Sequence, residues 1–478
     1  MVDTNPPLVV DLDGTLFRGD MLWESIVDTL KRKPLSFPRT LFALVTKGKA
    51  EFKRLLSLDF DFESQNLPLR EEVLHLINTS KASGSHIVLS TGADILIATK
   101  ISGSLGIFDA VIGSTPERNN SGANKASDLV DRFGSGGFDY IGDSIRDIPV
   151  WQEARKKYSV VPIRSKSKID DLIMIGNNSK HNLLDRLKPI IKTLRPHQWV
   201  KNVLIFAPAF AAQKILDGNV LSTLLLAFVA FSLVASAVYI FNDILDIQND
   251  RSHETKRFRP IASGRLSIPS SVFLGVSLLV IGLAISYSLS FLTTVVLATY
   301  FFVSLFYSTT LKRIVILDAV TLAGLYTSRL VFGAVVADTE VSTWLLGFSL
   351  FLFFSLALVK RYSEASRPRK GQEDKQISGR GYRTSDIGIV SNLGVSSGLA
   401  SVIVFSLYLT SESVLDFYGS PELLWWVVPV LLTWISWIWI QVSRGEIVDD
   451  PIVFALRDRF SSLSGLVVVM IFVVAQNL

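Results

Sequence analysis

From about residue 200 onward the chain is dominated by apolar stretches, near 200–213, 221–241, 271–290, 291–308, 315–336, 344–359, 389–410, 423–441 and 463–476. In hydrocarbon every backbone N–H and C=O has to be satisfied internally, so stretches of this length have one available structure, the membrane-spanning helix. Nine crossings are expected, in an all-α polytopic bundle. The mean hydropathy of +0.39 over 478 residues is the average of this half and a very different one.

Up to about residue 190 no window holds some 18 uninterrupted apolar residues, and short apolar runs alternate with charged, turn-rich stretches. This is the texture of a soluble α/β domain. Strands are expected at Pro7–Leu12, His86–Thr91 and Asp139–Gly142, each ending at a small or acidic residue where a loop begins. Chemistry in an open α/β sheet collects at such strand ends. The chain thus divides into a domain over 1–165, a polar segment over 166–195, and a membrane domain over 196–478. The middle segment carries Lys166, Lys168, Lys180, Arg186, Lys188 and Lys192, and reads as a linker with an interfacial amphipathic helix or as a solvated connector.

Charge sets orientation. Basic residues crowd the connections after the second, fourth, sixth and eighth stretches: Arg251 to Arg265, Lys312 and Arg313, Lys360 to Arg383, and Arg444 to Arg459. By the positive-inside rule those connections are cytosolic, the N-terminal domain lies with them, and nine crossings put the C-terminus outside. The N-terminus has no basic segment leading an apolar run, so a signal peptide is not expected. The net charge of +5 therefore reflects membrane topology rather than nucleic-acid binding. With no cysteine in the chain, thiol catalysis and Cys-ligated metal are excluded, and any metal sits on oxygen or imidazole ligands. Mg²⁺ is the leading candidate.

Val9-Val10-Asp11-Leu12-Asp13-Gly14-Thr15 places two carboxylates two apart after an apolar strand, then a glycine that lets the chain turn. Leu89-Ser90-Thr91, Lys125 and Gly142-Asp143-Ser144 with Asp147 follow in order. Together they supply a nucleophile, an acid, a phosphate-binding hydroxyl, a cation and metal-binding carboxylates. Over roughly residues 7–165 the chain resembles the haloacid dehalogenase-type phosphatases. The resemblance implies a Rossmann-like fold with a small helical cap over about residues 18–80. It also implies Asp11 as the nucleophile, Asp13 as the general acid/base, and Thr91, with Ser90 as alternative, and Lys125 as phosphate binders. Mg²⁺ would then lie on Asp143 and Asp147 with Asp11, Asp13 being counted beside them.

Where the second apolar stretch ends, Asn242, Asp243, Asp246 and Asp250 share one helix face at a membrane edge, where carboxylates are costly unless a cation joins them. Arg251, Lys256 and Arg259 follow closely, as a phosphate site requires. The NDxxDxxxDRxHxxKxxRP run resembles the UbiA-type prenyltransferases. Lys201 and Asn202, Tyr307, Lys312 with Asp318, Arg329, Lys360 with Arg361, and the run from Asp450 to Arg459 look most like their decaprenyl-phosphate phosphoribosyltransferase branch. A second DxxxD motif is not evident in Lys360–Asp386, which offers Glu364, Glu373 and Asp374 among many cations, and Asp318 is expected to stand in for it.

The resemblance implies a membrane enzyme that transfers 5-phosphoribose from Mg²⁺-bound phosphoribosyl pyrophosphate to a polyprenyl phosphate at a bacterial inner membrane. Asn242, Asp243, Asp246, Asp250 and Asp318 would hold the metal. Lys201, Asn202, Arg251, Lys256, Arg259, Tyr307, Lys312, Arg329, Lys360 and Arg361 would bind substrate. The fused phosphatase would remove the 5-phosphate. Two other readings stay open: prenyl transfer to an aromatic or glycerol-type acceptor, and a soluble domain kept only for regulation.

Overall fold

The computed structural model describes residues 5–477 except 63–65, 164–168, 177–182, 341, 367–379, 412–413, 415–417 and 448–449. Its contacts define two compact units, Met1–Leu194 with Tyr239–Gly275, and Arg195–Val238 with Val276–Leu478.

The first unit is built on six parallel strands, β1 (Leu8–Val10), β2 (Ile87–Asp94), β3 (Ala110–Ser114), β4 (Asp139–Gly142), β5 (Lys157–Ser159) and β6 (Leu172–Met174), in the order β3-β2-β1-β4-β5-β6. Apolar side chains on both faces explain why the central strands β1 and β4 and nearly all of β2 are buried. Leu8 and Val10 face one core with Leu89 and Ile141, whereas Val9 faces the other with Val88, Tyr140 and Trp151. The order reverses between β1 and β4, and that crevice is where such sheets bind ligands.

Between β1 and β2 come α1 (Met21–Arg32), α2 (Phe37–Thr46) and α3 (Lys49–Asp59), followed by α4 (Glu71–Ala82). Asp20 starts α1 by accepting from the N–H groups of Leu22 and Trp23, and Glu24 near its start with Lys31 and Arg32 at its end match the helix dipole. α4 sends Val73 and Ile77 into the sheet core, so the insertion over the strand ends is shorter than 18–80. Helix α5 (Ile95–Leu105) joins α4 on that face, and α6 (Ala123–Phe133) and α7 (Ile148–Glu153) cover the other.

Two boundaries differ from expectation. Strand β6 pairs with β5 at Lys157–Leu172 and Ser159–Met174, so the sheet continues past residue 165 into the expected linker. A three-residue strand at a sheet edge is too short to announce itself by periodicity. Helix α8 (Leu183–Leu194) follows, with Leu184, Leu187 and Ile191 as an exposed apolar stripe at helical spacing, the pattern of a helix lying in a lipid interface. Lys166, Lys168, Lys180 and the side chain of Arg186 lie outside the described residues.

Second, eight helices among the described residues are long and apolar enough to cross a membrane, against nine expected. They comprise α10 (Gly218–Leu245), α12 (Ile268–Leu289), α13 (Phe291–Thr309), α14 (Leu317–Val336), α15 (Thr343–Ala365), the span Thr384–Leu409 containing α16 (Ile387–Leu409), and the spans Pro421–Ser443 and Arg459–Asn477. The expected first crossing is a 3₁₀ run, Pro196–Phe206, followed by the short helix α9 (Ala207–Ala211). Pro208 starts a new helix rather than continuing one. Neither piece forms a regular α-helix long enough to cross a hydrocarbon core on its own.

Small residues let the spanning helices approach closely, because lipid supplies no hydrophobic drive between them. On α16, Gly394 and Gly398 receive Trp439 and Ile435 from the helix Val427–Ser443: a Cβ on Gly394 would lie 2.1 Å from the Trp439 ring, and one on Gly398 2.6 Å from Ile435. Gly394→Ala is therefore expected to destabilise the bundle by about 1–3 kcal/mol, read as a lowered melting temperature in detergent. Gly388→Ala, with open space around it, should leave the melt unchanged or raised.

Candidate functional site

The strand ends at the β1/β4 crevice gather the first set of residues. Asp11 follows β1 and Asp143 follows β4, while Asp147 ends a 3₁₀ turn, Ile145–Asp147, that Ser144 and Asp147 cap reciprocally. One oxygen from each of Asp11, Asp143 and Asp147 lies within 4.8 Å of the others. Three hard oxygen donors at that spacing fit a divalent cation such as Mg²⁺. Gly14 has φ +73° and a Cβ there would lie 2.0 Å from Asp143 Oδ2, so only glycine passes the chain beside this carboxylate.

Lys125 at the start of α6 is buried and donates to Asp11 Oδ1 at 2.8 Å and to the Tyr140 hydroxyl at 3.0 Å. Tyr140 in turn donates to Asp147 Oδ1 at 2.7 Å, and Asp147 Oδ2 accepts from Ser144 N–H at 3.0 Å. Burial pushes the Asp11 carboxyl up to about 6 even with Lys125 beside it, and burial with Asp11 and Asp147 nearby pushes Asp143 up to about 7. Burial, reinforced by Asp20, raises the Asp13 carboxyl well above its ordinary value. Asp13 lies outside the three-carboxylate group, and its Oδ1 accepts the Met21 N–H at 2.8 Å. The Thr91 hydroxyl accepts from Ala93 N–H, so Gly92, Ala93 and Asp94 form the wall in its place.

A cavity of about 280 Å³ opens over these groups, roofed by Met21, Leu22 and Ser25 of α1 and by Lys49, Lys53 and Ser57 of α3. Lys53 is a lining residue that the sequence analysis did not single out. Its amine donates to Gly92 O and, at 2.8 Å, to Asn119 Oδ1, and burial with neighbouring Lys49 pushes it down to about 8. Tyr140, on the expected strand Asp139–Gly142, and Arg146, between Asp143 and Asp147, were missed as well.

The aspartate-rich segment belongs to the same unit. Asp243 near the end of α10 and Asp250 in α11 (Ile247–Arg251) converge on one guanidinium nitrogen of Arg259, at 3.1 and 2.6 Å. Two carboxylates that one cationic atom can touch also fit a shared metal ion. Arg251, expected to bind phosphate, is instead sealed in an ion pair: Nη1 and Nη2 lie 3.1 and 2.7 Å from the Glu24 carboxylate, and Nε donates to Ala262 O. Asp246, half exposed, faces Lys31 of α1 at 3.4 Å. Asn242 is half-buried, and Lys256 is exposed.

The second unit holds two further clusters. Lys201 pairs with Asp450 at 2.5 Å, with Lys360 at 3.9 Å and Tyr326 at 3.4 Å from the same oxygen. Burial would raise the Asp450 carboxyl, but Lys201 and Lys360 hold it below its ordinary range. Nearby Asn202 bridges Ser232 and Arg329, and Arg329 stacks on Phe231, Tyr300 and Tyr326. In the other cluster both Asp318 oxygens are engaged, by Arg361 Nε at 2.5 Å and the Tyr382 hydroxyl at 2.6 Å. Asp318 thus positions Arg361, whose remaining nitrogens reach Glu364 and Tyr307, rather than presenting a vacant metal ligand. Lys312 is half-buried in the turn Leu311–Arg313. Glu373 and Asp374 lie outside the described residues.

Residues 203–457 match the UbiA prenyltransferase family. An uncharacterised protein of Sinorhizobium fredii is 36% identical over 477 residues, covering 99% of this chain and 92% of its own. Nodulation protein NoeC of Azorhizobium caulinodans is 34% identical over 56% of this chain and 86% of its own. The decaprenyl-phosphate phosphoribosyltransferase of Mycolicibacterium smegmatis is 32% identical over 56% of this chain and 86% of its own. With the family match spanning more than half its length, this multi-pass membrane chain belongs to the UbiA prenyltransferase family.

Proposed function

We propose that the membrane domain transfers 5-phosphoribose from phosphoribosyl pyrophosphate to a polyprenyl phosphate, and that the N-terminal domain is a haloacid dehalogenase-type phosphatase that removes the 5-phosphate. The observation that carries the first step is the 32% identity reaching across 86% of a decaprenyl-phosphate phosphoribosyltransferase. The second rests on Asp11, Asp143 and Asp147 gathered around Lys125 at the sheet's switch point. The enzyme sits in the bacterial inner membrane with its N-terminal domain in the cytosol, which the basic connections support.

In the membrane domain Asn242, Asp243, Asp246 and Asp250 hold Mg²⁺, which when bound draws electron density onto the leaving pyrophosphate. Arg259 and Lys256 bind phosphate oxygens. As the bond from the ribose carbon to pyrophosphate breaks, an oxygen of the polyprenyl phosphate forms the new bond to that carbon.

In the N-terminal domain Asp11, Asp143 and Asp147 hold a second Mg²⁺, which supplies charge neutralisation of the phosphoryl oxygens. Lys125 occupies Asp11 Oδ1, so Oδ2 attacks phosphorus and forms the aspartyl-phosphate. Burial raises the Asp13 carboxyl and so favours its acid form, and with Oδ1 accepting Met21 N–H it is Oδ2 that delivers the proton to the departing 5-oxygen. Asp13 then takes a proton from the water that releases inorganic phosphate.

Full-length protein in detergent, given radiolabelled phosphoribosyl pyrophosphate, polyprenyl phosphate and Mg²⁺, should place label in the lipid fraction. Asp246→Ala should cut that label at least about 100-fold while sparing hydrolysis of a small phosphate ester. Turnover of geranylgeranyl diphosphate with no lipid label would establish prenyl transfer instead. In Asp11→Asn the label should still reach lipid, but chromatography should show the product retaining its 5-phosphate; unchanged phosphate release would make the N-terminal domain regulatory.

The pH profile of ester hydrolysis tests Lys53. Its amine keeps its proton only to about pH 8, so KM is expected to rise up to about tenfold above that pH as attraction for phosphate is lost. Folding stability moves the other way, because between pH 8 and its ordinary value the unfolded chain binds the proton that the fold has given up, and stability rises with pH there. Lys53→Arg should carry the low KM to higher pH.

A further inference from the structure

Helix α1 touches two sets of acidic residues. At its start the Met21 N–H binds Asp13, and Leu22 and Ser25 line the hydrolase cavity. Further along, Glu24 grips Arg251, and Lys31 in the last turn reaches the segment that carries Asp246. Glu24 and Lys31 both fall outside residues 203–457, the region matched by the UbiA family.

The two grips differ in kind. Glu24 and Arg251 are sealed, with side chains 2% and 4% exposed, and Arg251 also stacks on Phe17 and bonds Ala262 O. That is a fixed anchor, since a buried pair losing one partner leaves a stranded charge. Lys31 and Asp246 are 22% and 26% exposed and 3.4 Å apart, a longer and open contact. The Lys31 amine also donates to Leu245 O at 2.7 Å, at the carbonyl end of α10.

Resting on the reading of this segment as a diphosphate-binding site, we propose that Lys31 is a substrate-binding residue of the aspartate-rich site, supplied by the N-terminal domain. Its ligand is the diphosphate group of the donor, bound with a divalent cation. The anchor holds α1 so that a lysine ammonium stands beside Asp246, and a diphosphate oxygen takes up one of its N–H donors. The membrane domain's affinity for its donor then depends on α1, which also roofs the hydrolase cavity.

The test measures binding of inorganic pyrophosphate with Mg²⁺ to the full-length protein by calorimetry. Lys31→Ala should weaken it about tenfold, Lys31→Arg should restore most of the loss, and Lys33→Ala, whose amine pairs with exposed Asp59, should change nothing. The Lys31 effect should persist in an Asp11→Asn background, which disables the hydrolase, and vanish with Asp246→Ala. In the transfer assay Lys31→Ala should raise KM for phosphoribosyl pyrophosphate and leave kcat nearly intact. Equal pyrophosphate affinity in Lys31→Ala and unaltered protein, or failure of the unaltered protein to bind pyrophosphate, overturns the proposal. Pyrophosphate binding that depends on Lys31, with no lipid label in the transfer assay, would instead reject phosphoribosyl transfer and keep Lys31 as a diphosphate ligand.

Discussion

Burying a carboxylate costs several kcal/mol unless a cation comes with it, and this constraint organises the protein. Asp11 is held by Lys125, Glu24 by Arg251, Asp243 and Asp250 by Arg259, Asp450 by Lys201, and Asp318 by Arg361. Most of these partners are far apart in the chain, 114 residues for Asp11 and Lys125 and 249 for Lys201 and Asp450. Those distant pairs therefore fix a long-range register as well as a local charge balance. Breaking one by removing a single partner costs about 3–5 kcal/mol, so residues that serve chemistry here also serve the fold.

The same pairing prepares the sites for anions. A cation already committed to a carboxylate can turn to a phosphate oxygen only if something else neutralises the carboxylate, and a divalent metal does that. Arg259 bridging Asp243 and Asp250, and Lys125 between Asp11 and Asp147, are both arranged for such an exchange. Arg361 is not, because Asp318, Glu364 and Tyr307 hold it from three sides. The difference is between cations that each share carboxylates at an open cluster and one that is fixed by its neighbours on three sides.

What was legible in the sequence is what local pattern can carry. The change from short to long apolar runs located the membrane half, the UbiA resemblance held, and strand ends such as Gly142-Asp143 stood out because a turn follows an apolar run. Long-range partners left no trace. Nothing around Glu24 marks it as the counter-ion of Arg251, so Arg251 read as a phosphate ligand, and Asp318 read as a metal ligand because Tyr382 and Arg361 are distant in sequence. The broken first crossing had the composition of a spanning helix, but Pro208 restarts the helix inside it, and Lys201 and Asn202 had to reach Asp450 and Ser232.

Composition and packing also divide the chain differently. Hydropathy cuts it near residue 195, yet Tyr239–Gly275, which holds every aspartate of the NDxxDxxxD run, packs as one compact unit with the N-terminal sheet. Helix α10 is continuous across that division, apolar up to Phe241 and acidic beyond it. Its polar end could not be satisfied by hydrocarbon, and its loop of cations could not be sealed by water alone. Glu24 resolves part of this by burying the Arg251 charge, and in doing so ties the aspartate-rich stretch to a helix whose other end lies over Asp13. In this chain, satisfying a buried guanidinium and linking two sites are one and the same contact.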